Sequence, residues 1–74
     1  MKRTRLRADV VWEYLTRHNL SQNAFARRLD IDPGYLSQMV NGRRCPSPSM
    51  RARLMAGLGI TDFDELFFIE EAVA

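Results

Sequence analysis

The chain has 74 residues, of which 46% are hydrophobic and 27% are charged. This length and composition predict one small globular domain with a modest core, rather than a disordered or multidomain chain. No apolar run approaches the roughly 18 residues that a membrane helix needs, and no signal-peptide pattern follows Met1. Because Cys45 is the only cysteine and His18 the only histidine, we expect a cytoplasmic protein without a disulfide, a metal site or a cofactor.

Charge is distributed unevenly along the chain, although the net charge is only +2. Residues 1–53 contain all 11 basic side chains and four of the nine acidic ones, which makes +7, whereas residues 54–74 carry −5. This polarity favours a basic face that binds a polyanion and a separate acidic end that is kept away from it. From charge alone, a solvated surface without a ligand is the alternative.

Two helices are predicted in the first part of the chain. Residues 8–18 place Val11 and Leu15 four positions apart on one apolar face, which is typical of an amphipathic helix. Ser21 is a good N-cap for the second helix, which we expect from about Gln22 to Leu29. The second helix has only about two turns, so packing must stabilise it.

A sharp turn and a third helix are predicted by the stretch DIDPGYLSQMVNG. Asp30 belongs to one of the few residue types other than glycine that tolerate a left-handed conformation. Asp32 can cap the helix, and Pro33 suits its first position because the N–H that proline lacks would be unpaired there. Apolar residues at helical spacing continue to Val40, and Gly42 stands where the helix should end.

Two further helices complete the predicted fold. Ser47 and Pro48 can start a fourth helix that ends at Gly59, and Asp62 can start a short fifth helix to about residue 66 or 67. No segment gives a convincing internal strand pattern. The predicted fold class is therefore all-α, with five helices and a possible short C-terminal extension.

Helices 2 and 3, joined by a tight turn, have the pattern of a helix-turn-helix motif. The stretches LSQNAFA, YLSQMVNGRR, PS and LGI..FDELF, in this order and spacing, resemble the Cro/C1-type (XRE) family of DNA-binding proteins over about residues 8–67. The resemblance implies a five-helix, lambda-repressor-like domain that regulates transcription. It also implies a dimer that places helix 3 in the major groove of an inverted-repeat operator and acts as a repressor.

The resemblance implies DNA contacts from the start of helix 2, from helix 3 and from the turn after it. These residues are Gln22, Asn23, Pro33, Gly34, Tyr35, Ser37, Gln38, Asn41, Arg43 and Arg44. Gln38 matches a position that reaches a base edge, where glutamine can pair with adenine. Gln22 and the two arginines match phosphate-binding positions. A solvated side chain is the alternative for both glutamines, local helix capping for Ser37 and Asn41, and packing against helix 2 for Tyr35.

The sequence departs from the family pattern at two places. Relatives that read bases strongly carry long polar side chains at the first two positions of helix 3, whereas Pro33 and Gly34 have no side-chain donors. Direct base readout at that end of the helix should therefore be weak. Val40 stands where many relatives have a glutamate paired to an arginine of helix 1, and the matching position here is Leu15. An apolar contact should replace that buried ion pair.

Both ends of the chain lie outside the predicted domain. Residues 1–7 form a basic N-terminal arm that follows the DNA, or else a disordered, solvated end. Residues 68–74 form a C-terminal tail, and Phe67 to Glu71 either extend the last helix or form a strand paired across a dimer. The apolar run at this end is a candidate dimer contact, with closure of the monomer's own core as the alternative. It consists of Leu66, Phe67, Phe68 and Ile69.

The competing function is an antitoxin-like or adaptor protein that binds a protein partner through its apolar C-terminal tail. An enzyme is not expected, because the sequence has no phosphate-cradling glycine-rich loop and no constellation of residues that could carry catalysis.

Overall fold

The computed structural model describes residues 1–71, which form two strands and five helices. In chain order they are β1 (Lys2–Leu6), α1 (Ala8–Arg17), α2 (Gln22–Arg28), α3 (Pro33–Val40), α4 (Pro48–Leu58), α5 (Phe63–Leu66) and β2 (Phe67–Glu71). The five predicted helices are confirmed, with ends that differ from the prediction by about one residue. Within residues 1–71, none of the helices has the length and apolar character to cross a membrane. Residues 72–74, the end of the predicted tail, lie outside this description.

The prediction of an all-α fold is wrong, because Lys2–Leu6 and Phe67–Glu71 form strands. β1 and β2 make a two-stranded antiparallel sheet in which Lys2 pairs with Glu71 and Leu6 pairs with Phe67. The basic N-terminal segment is therefore a strand of the domain. The C-terminal segment, for which helix extension and a strand across a dimer were the two expectations, is a strand that pairs within its own chain.

Apolar burial and opposite charge both favour this pairing. Leu6 and Phe67 are directly opposite each other and are 6% and 0% exposed. Farther out, Glu70 Oε1 lies 4.0 Å from Arg3 Nη2 and 3.8 Å from Arg5 Nη1. Exposed ion pairs contribute only about 0–1 kcal/mol each, whereas full burial of a Leu or Phe side chain contributes about 1.5–3 kcal/mol. The buried pair thus dominates, and the acidic end contacts basic residues instead of staying apart from them.

Local capping and turn signals are confirmed around the helix-turn-helix motif. The side chains of Ser21, Asp32 and Ser47 accept backbone N–H groups at 3.0, 2.7 and 3.2 Å, so each caps the helix that follows. Asp30 has a φ of 57°, the left-handed conformation expected for the turn between α2 and α3. These short-range interactions define where α2, α3 and α4 begin.

The core lies where the helices meet the inner end of the sheet. Its buried side chains are Leu6, Val11, Leu15, Phe25, Ala26, Ile31, Leu36, Met39, Val40, Leu54, Leu58, Leu66 and Phe67. Leu15 and Val40 both belong to it, so apolar side chains fill the place where relatives pair charges. Leu66 and Phe67 are fully buried, which leaves only Phe68 and Ile69 of the predicted dimer contact at the surface, with Ile69 60% exposed.

Replacing Phe67 with alanine should lower the free energy of unfolding by about 3–5 kcal/mol, because it removes a fully buried ring from a small core. Urea-induced unfolding, followed by circular dichroism on a monomeric sample, measures this loss. Ile69→Ala is the control, since Ile69 lies in the same strand but is largely exposed, and its effect should stay within about 0.5 kcal/mol. Equal losses for the two variants would contradict the burial of Phe67.

Candidate nucleic-acid interface

The first turn of α3 presents few side-chain hydrogen-bond donors or acceptors. Asp32 caps the helix, and its Oδ1 accepts the backbone N–H of Gly34 at 2.7 Å. Pro33 is half-buried and Gly34 is exposed, and neither has a side-chain donor or acceptor. Direct hydrogen bonding to base edges therefore has to come from positions farther along the helix.

Gln38 is the polar side chain in the second half of α3 that matches a base-reading position. Its amide forms no hydrogen bond within residues 1–71, and the residue is exposed. It stands three residues after the half-buried Tyr35, so the two side chains lie on the same side of the helix. A free amide with two donors and one acceptor group can pair bidentately with one base edge.

Ser37 and Asn41 contact each other on α3. Asn41 Nδ2 donates to Ser37 Oγ at 3.3 Å, which is the expected contact for residues four positions apart. The structure places this hydrogen bond at the surface of the helix. Their polar groups thus have a local partner and retain further hydrogen-bonding capacity towards solvent.

A Schellman turn ends α3 and carries two arginines. Gly42 has a φ of 75°, a left-handed conformation that glycine adopts without steric cost. The backbone N–H groups of Arg43 and Arg44 donate to the Gln38 carbonyl at 2.8 and 3.2 Å. Both arginine side chains are exposed, and within residues 1–71 neither forms an ion pair.

Tyr35 brings the beginning of α3 into contact with this turn. The Arg44 guanidinium carbon lies 5.3 Å from the centre of the Tyr35 ring, a cation–π distance. The ring also packs against the core, so it supports the arginine from the protein side. Of the predicted residues, the structure therefore brings Tyr35 into contact with Arg44.

The two predicted residues of α2 stand at the start of that helix. Gln22 is half-buried and Asn23 is exposed, both in the first turn after the Ser21 cap. α2 packs against α3 through buried side chains, chiefly Phe25 and Ala26. No hydrogen bond or ion pair within residues 1–71 joins the side chain of Gln22 or Asn23 to α3.

Arg5 of β1 also reaches the turn after α3, which the sequence pattern did not predict. Its Nη2 donates to the Gly42 carbonyl at 2.7 Å, and its Nη1 lies 3.8 Å from Glu70 Oε1. The pattern identified Arg5 only as part of a basic arm. No local signal could reveal this contact, because it depends on the pairing of β1 with β2.

Comparisons with known proteins agree with this geometry. The helix-turn-helix family model matches residues 13–66. The control protein C.MunI of Mycoplasma sp is 45% identical over 49 residues, which cover 66% of this chain but only 65% of that protein. An uncharacterized HTH-type transcriptional regulator of Bacillus subtilis (strain 168), YvzC, is 24% identical over 70 residues, 95% of this chain and 90% of that protein.

No solved structure matches the chain significantly. The family match nevertheless covers most of the chain and includes α2, the turn and α3. The exposed arginines and the free amide of Gln38 provide the hydrogen-bond donors that a DNA-binding surface needs. The chain belongs to the Cro/C1-type (XRE) helix-turn-helix family of DNA-binding transcription regulators.

Proposed function

We propose that the protein is a sequence-specific repressor that binds an inverted-repeat operator in double-stranded DNA as a homodimer and acts in the cytoplasm. α3 enters the major groove, and the bound dimer excludes other proteins from the operator. The observation that carries the proposal is the Gln38 amide on α3, which has no hydrogen-bond partner within residues 1–71, beside two exposed arginines that have no carboxylate partner there.

The base-reading surface in this proposal is narrow. Gln38 reads a base edge, with adenine as the preferred partner because its N7 and N6 groups match the glutamine amide. Pro33 and Gly34 contribute close approach or apolar contact instead of hydrogen bonds. Sequence preference then depends on one strong polar contact and on the shape of the DNA.

Phosphate contacts supply most of the affinity. Arg43 and Arg44 lie immediately after α3, where their charges can contact the backbone beside the groove that α3 occupies. Gln22 and Asn23 would contact the backbone from the start of α2, with Ser37 and Asn41 as additional hydrogen-bonding groups. These contacts orient α3 but do not distinguish one base pair from another.

The competing proposal, a protein-interaction module acting through the apolar C-terminal run, has less support. Leu66 and Phe67 are buried in the core, so the run offers a partner only Phe68 and Ile69. A dimer contact of the proposed regulator through this run would likewise be limited to Phe68 and Ile69. Further residues must extend any interface at this end, because two side chains bury far less than a stable complex needs.

A dimer should select inverted-repeat sites from a pool of random DNA duplexes. The two copies of α3 must enter successive major grooves on one face of the duplex, so the half-site centres should be about one helical turn, roughly 34–36 Å, apart. Sequencing the bound fraction reports the symmetry, the spacing and the preferred bases together. Enrichment of single half-sites without a fixed spacing would exclude the dimeric mode of binding.

Gln38→Ala should weaken binding to the selected site by about 1–3 kcal/mol and relax the base preference at one position of each half-site. Fluorescence anisotropy with a set of single-base variants of the site measures both effects. Gln22→Ala is the matched control, because the same truncation at a phosphate contact should weaken all sites by a similar factor. A base preference that survives Gln38→Ala would show that another residue reads the DNA.

The double variant Arg43→Ala/Arg44→Ala should weaken binding by a similar factor at all sites. It should also flatten the plot of log affinity against log salt concentration, by about 0.9 unit for each phosphate that is no longer neutralised. Titrations at several salt concentrations measure the slope. Arg17→Ala is the control, since Arg17 is on α1 and pairs with Glu13 at 2.9 Å. If the double variant keeps the wild-type slope, the two arginines do not contact phosphates.

A further inference from the structure

We propose that Arg5 is a positioning residue for DNA binding: it holds the turn that carries Arg43 and Arg44 and does not itself contact a phosphate. The inference rests on the proposed function. It assigns the β1–β2 sheet a role in the DNA-binding surface, although the sheet lies outside the helix-turn-helix motif.

The geometry centres on a single peptide group, the one that joins Gly42 to Arg43. Its N–H donates to the Gln38 carbonyl at 2.8 Å, and its carbonyl accepts a hydrogen bond from Arg5 Nη2 at 2.7 Å. The two groups of a trans peptide point in opposite directions, so α3 holds one side and β1 holds the other. This peptide sets the direction in which the chain leaves α3 and enters Arg43 and Arg44.

Arg5 is committed to contacts within the protein. Its side chain is 24% exposed, and its second terminal nitrogen lies 3.8 Å from the carboxylate of Glu70. Glu70 belongs to β2, so the guanidinium spans from the sheet to the turn after α3. A phosphate contact would require Arg5 to give up a short, charge-assisted hydrogen bond in partly buried surroundings, where such bonds are strongest.

The Arg5 guanidinium occupies the space beside Gly42 that a side chain at this position would enter. A Cβ atom added at Gly42 would lie 2.9 Å from Arg5 Nη2, closer than side chains normally approach. A side chain at this position would therefore displace the guanidinium, and it would also be strained by the positive φ of 75° that ends α3. Without the guanidinium, the turn would keep its bonds to Gln38 but would lose its connection to the sheet.

Arg3 provides a matched control for Arg5. It lies two residues away in the same strand, so both side chains are on the same face of the sheet. It has the same charge and approaches the same Glu70 oxygen, at 4.0 Å, but within residues 1–71 its side chain forms no hydrogen bond with the turn after α3. A comparison of the two arginines therefore separates the effect of charge from the effect of the Gly42 contact.

The experiment compares Arg5→Met with Arg3→Met in operator-binding titrations. We expect Arg5→Met to weaken binding about tenfold, because the released turn must then be ordered when it binds DNA, at a cost of the order of the hydrogen bond that held it. Arg3→Met should bind within about twofold of the wild type, because it removes only a largely exposed ion pair with Glu70 and no hydrogen bond to the turn. Equal losses for the two variants would overturn the proposal in favour of a general effect of charge.

Combining Arg5→Met with Arg43→Ala/Arg44→Ala tests whether Arg5 affects DNA binding through the turn after α3. If Arg5 acts through the turn, Arg5→Met should have little further effect once both arginines are absent, so the losses are strongly non-additive. If Arg5 instead contacts DNA directly, the losses add. Additive losses would therefore overturn the proposal.

Amide hydrogen exchange without DNA provides a readout that is independent of the proposed function. The amides of Arg43 and Arg44 should exchange faster in Arg5→Met than in Arg3→Met, while the amides of α4 exchange at equal rates. Unchanged exchange at the turn would overturn the positioning role. If Arg5→Met lowers protection throughout the chain, Arg5→Gln replaces it, because glutamine stays polar but is too short to span to Gly42.

The two proposals fail in different ways. If the wild-type protein does not bind duplex DNA, the proposed function fails, while faster exchange at the turn would still support the restraint by Arg5. If the wild type binds and Arg5→Met changes neither affinity nor exchange, only the positioning role fails.

Discussion

Phe67 and Leu6 face each other across the antiparallel strands and are both buried, so the inner ends of β1 and β2 meet inside the core. An isolated two-stranded sheet is marginally stable in water. Here the buried pair packs the sheet against the helices. The sheet in turn adds apolar side chains to a core that is small because the chain has only 74 residues. The helices of the DNA-binding motif therefore share one core with the β1–β2 sheet.

The pairing of β1 with β2 changes how the charge distribution along the chain is interpreted. The basic N-terminal segment and the acidic C-terminal segment occupy adjacent strands, with Arg3 and Arg5 near Glu70. Part of the charge polarity along the chain thus reflects pairing within the protein. Near α3, Arg43 and Arg44 supply exposed positive charge, whereas Arg5 of the N-terminal segment is held between Gly42 and Glu70.

Sequence patterns predicted the parts of the fold that depend on short-range interactions. The caps at Ser21 and Asp32, the left-handed Asp30 and the glycine turn at Gly42 each involve residues within a few positions of one another. Such signals are independent of the rest of the chain, because backbone conformation and nearby hydrogen bonds determine them. The family resemblance implies that α3, with Gln38, is the part of the chain that contacts DNA.

The sequence by itself determined where the helices begin and end, which helices form the motif and which polar residues it presents. Only the tertiary structure decided that the chain ends are strands, that Leu66 and Phe67 belong to the monomer's core, and that Arg5 reaches Gly42. The physical reason is separation along the chain. Neither strand has a strong pattern of its own, and each is stable only because a partner from the opposite end of the chain supplies its hydrogen bonds, its apolar contact and its opposite charge.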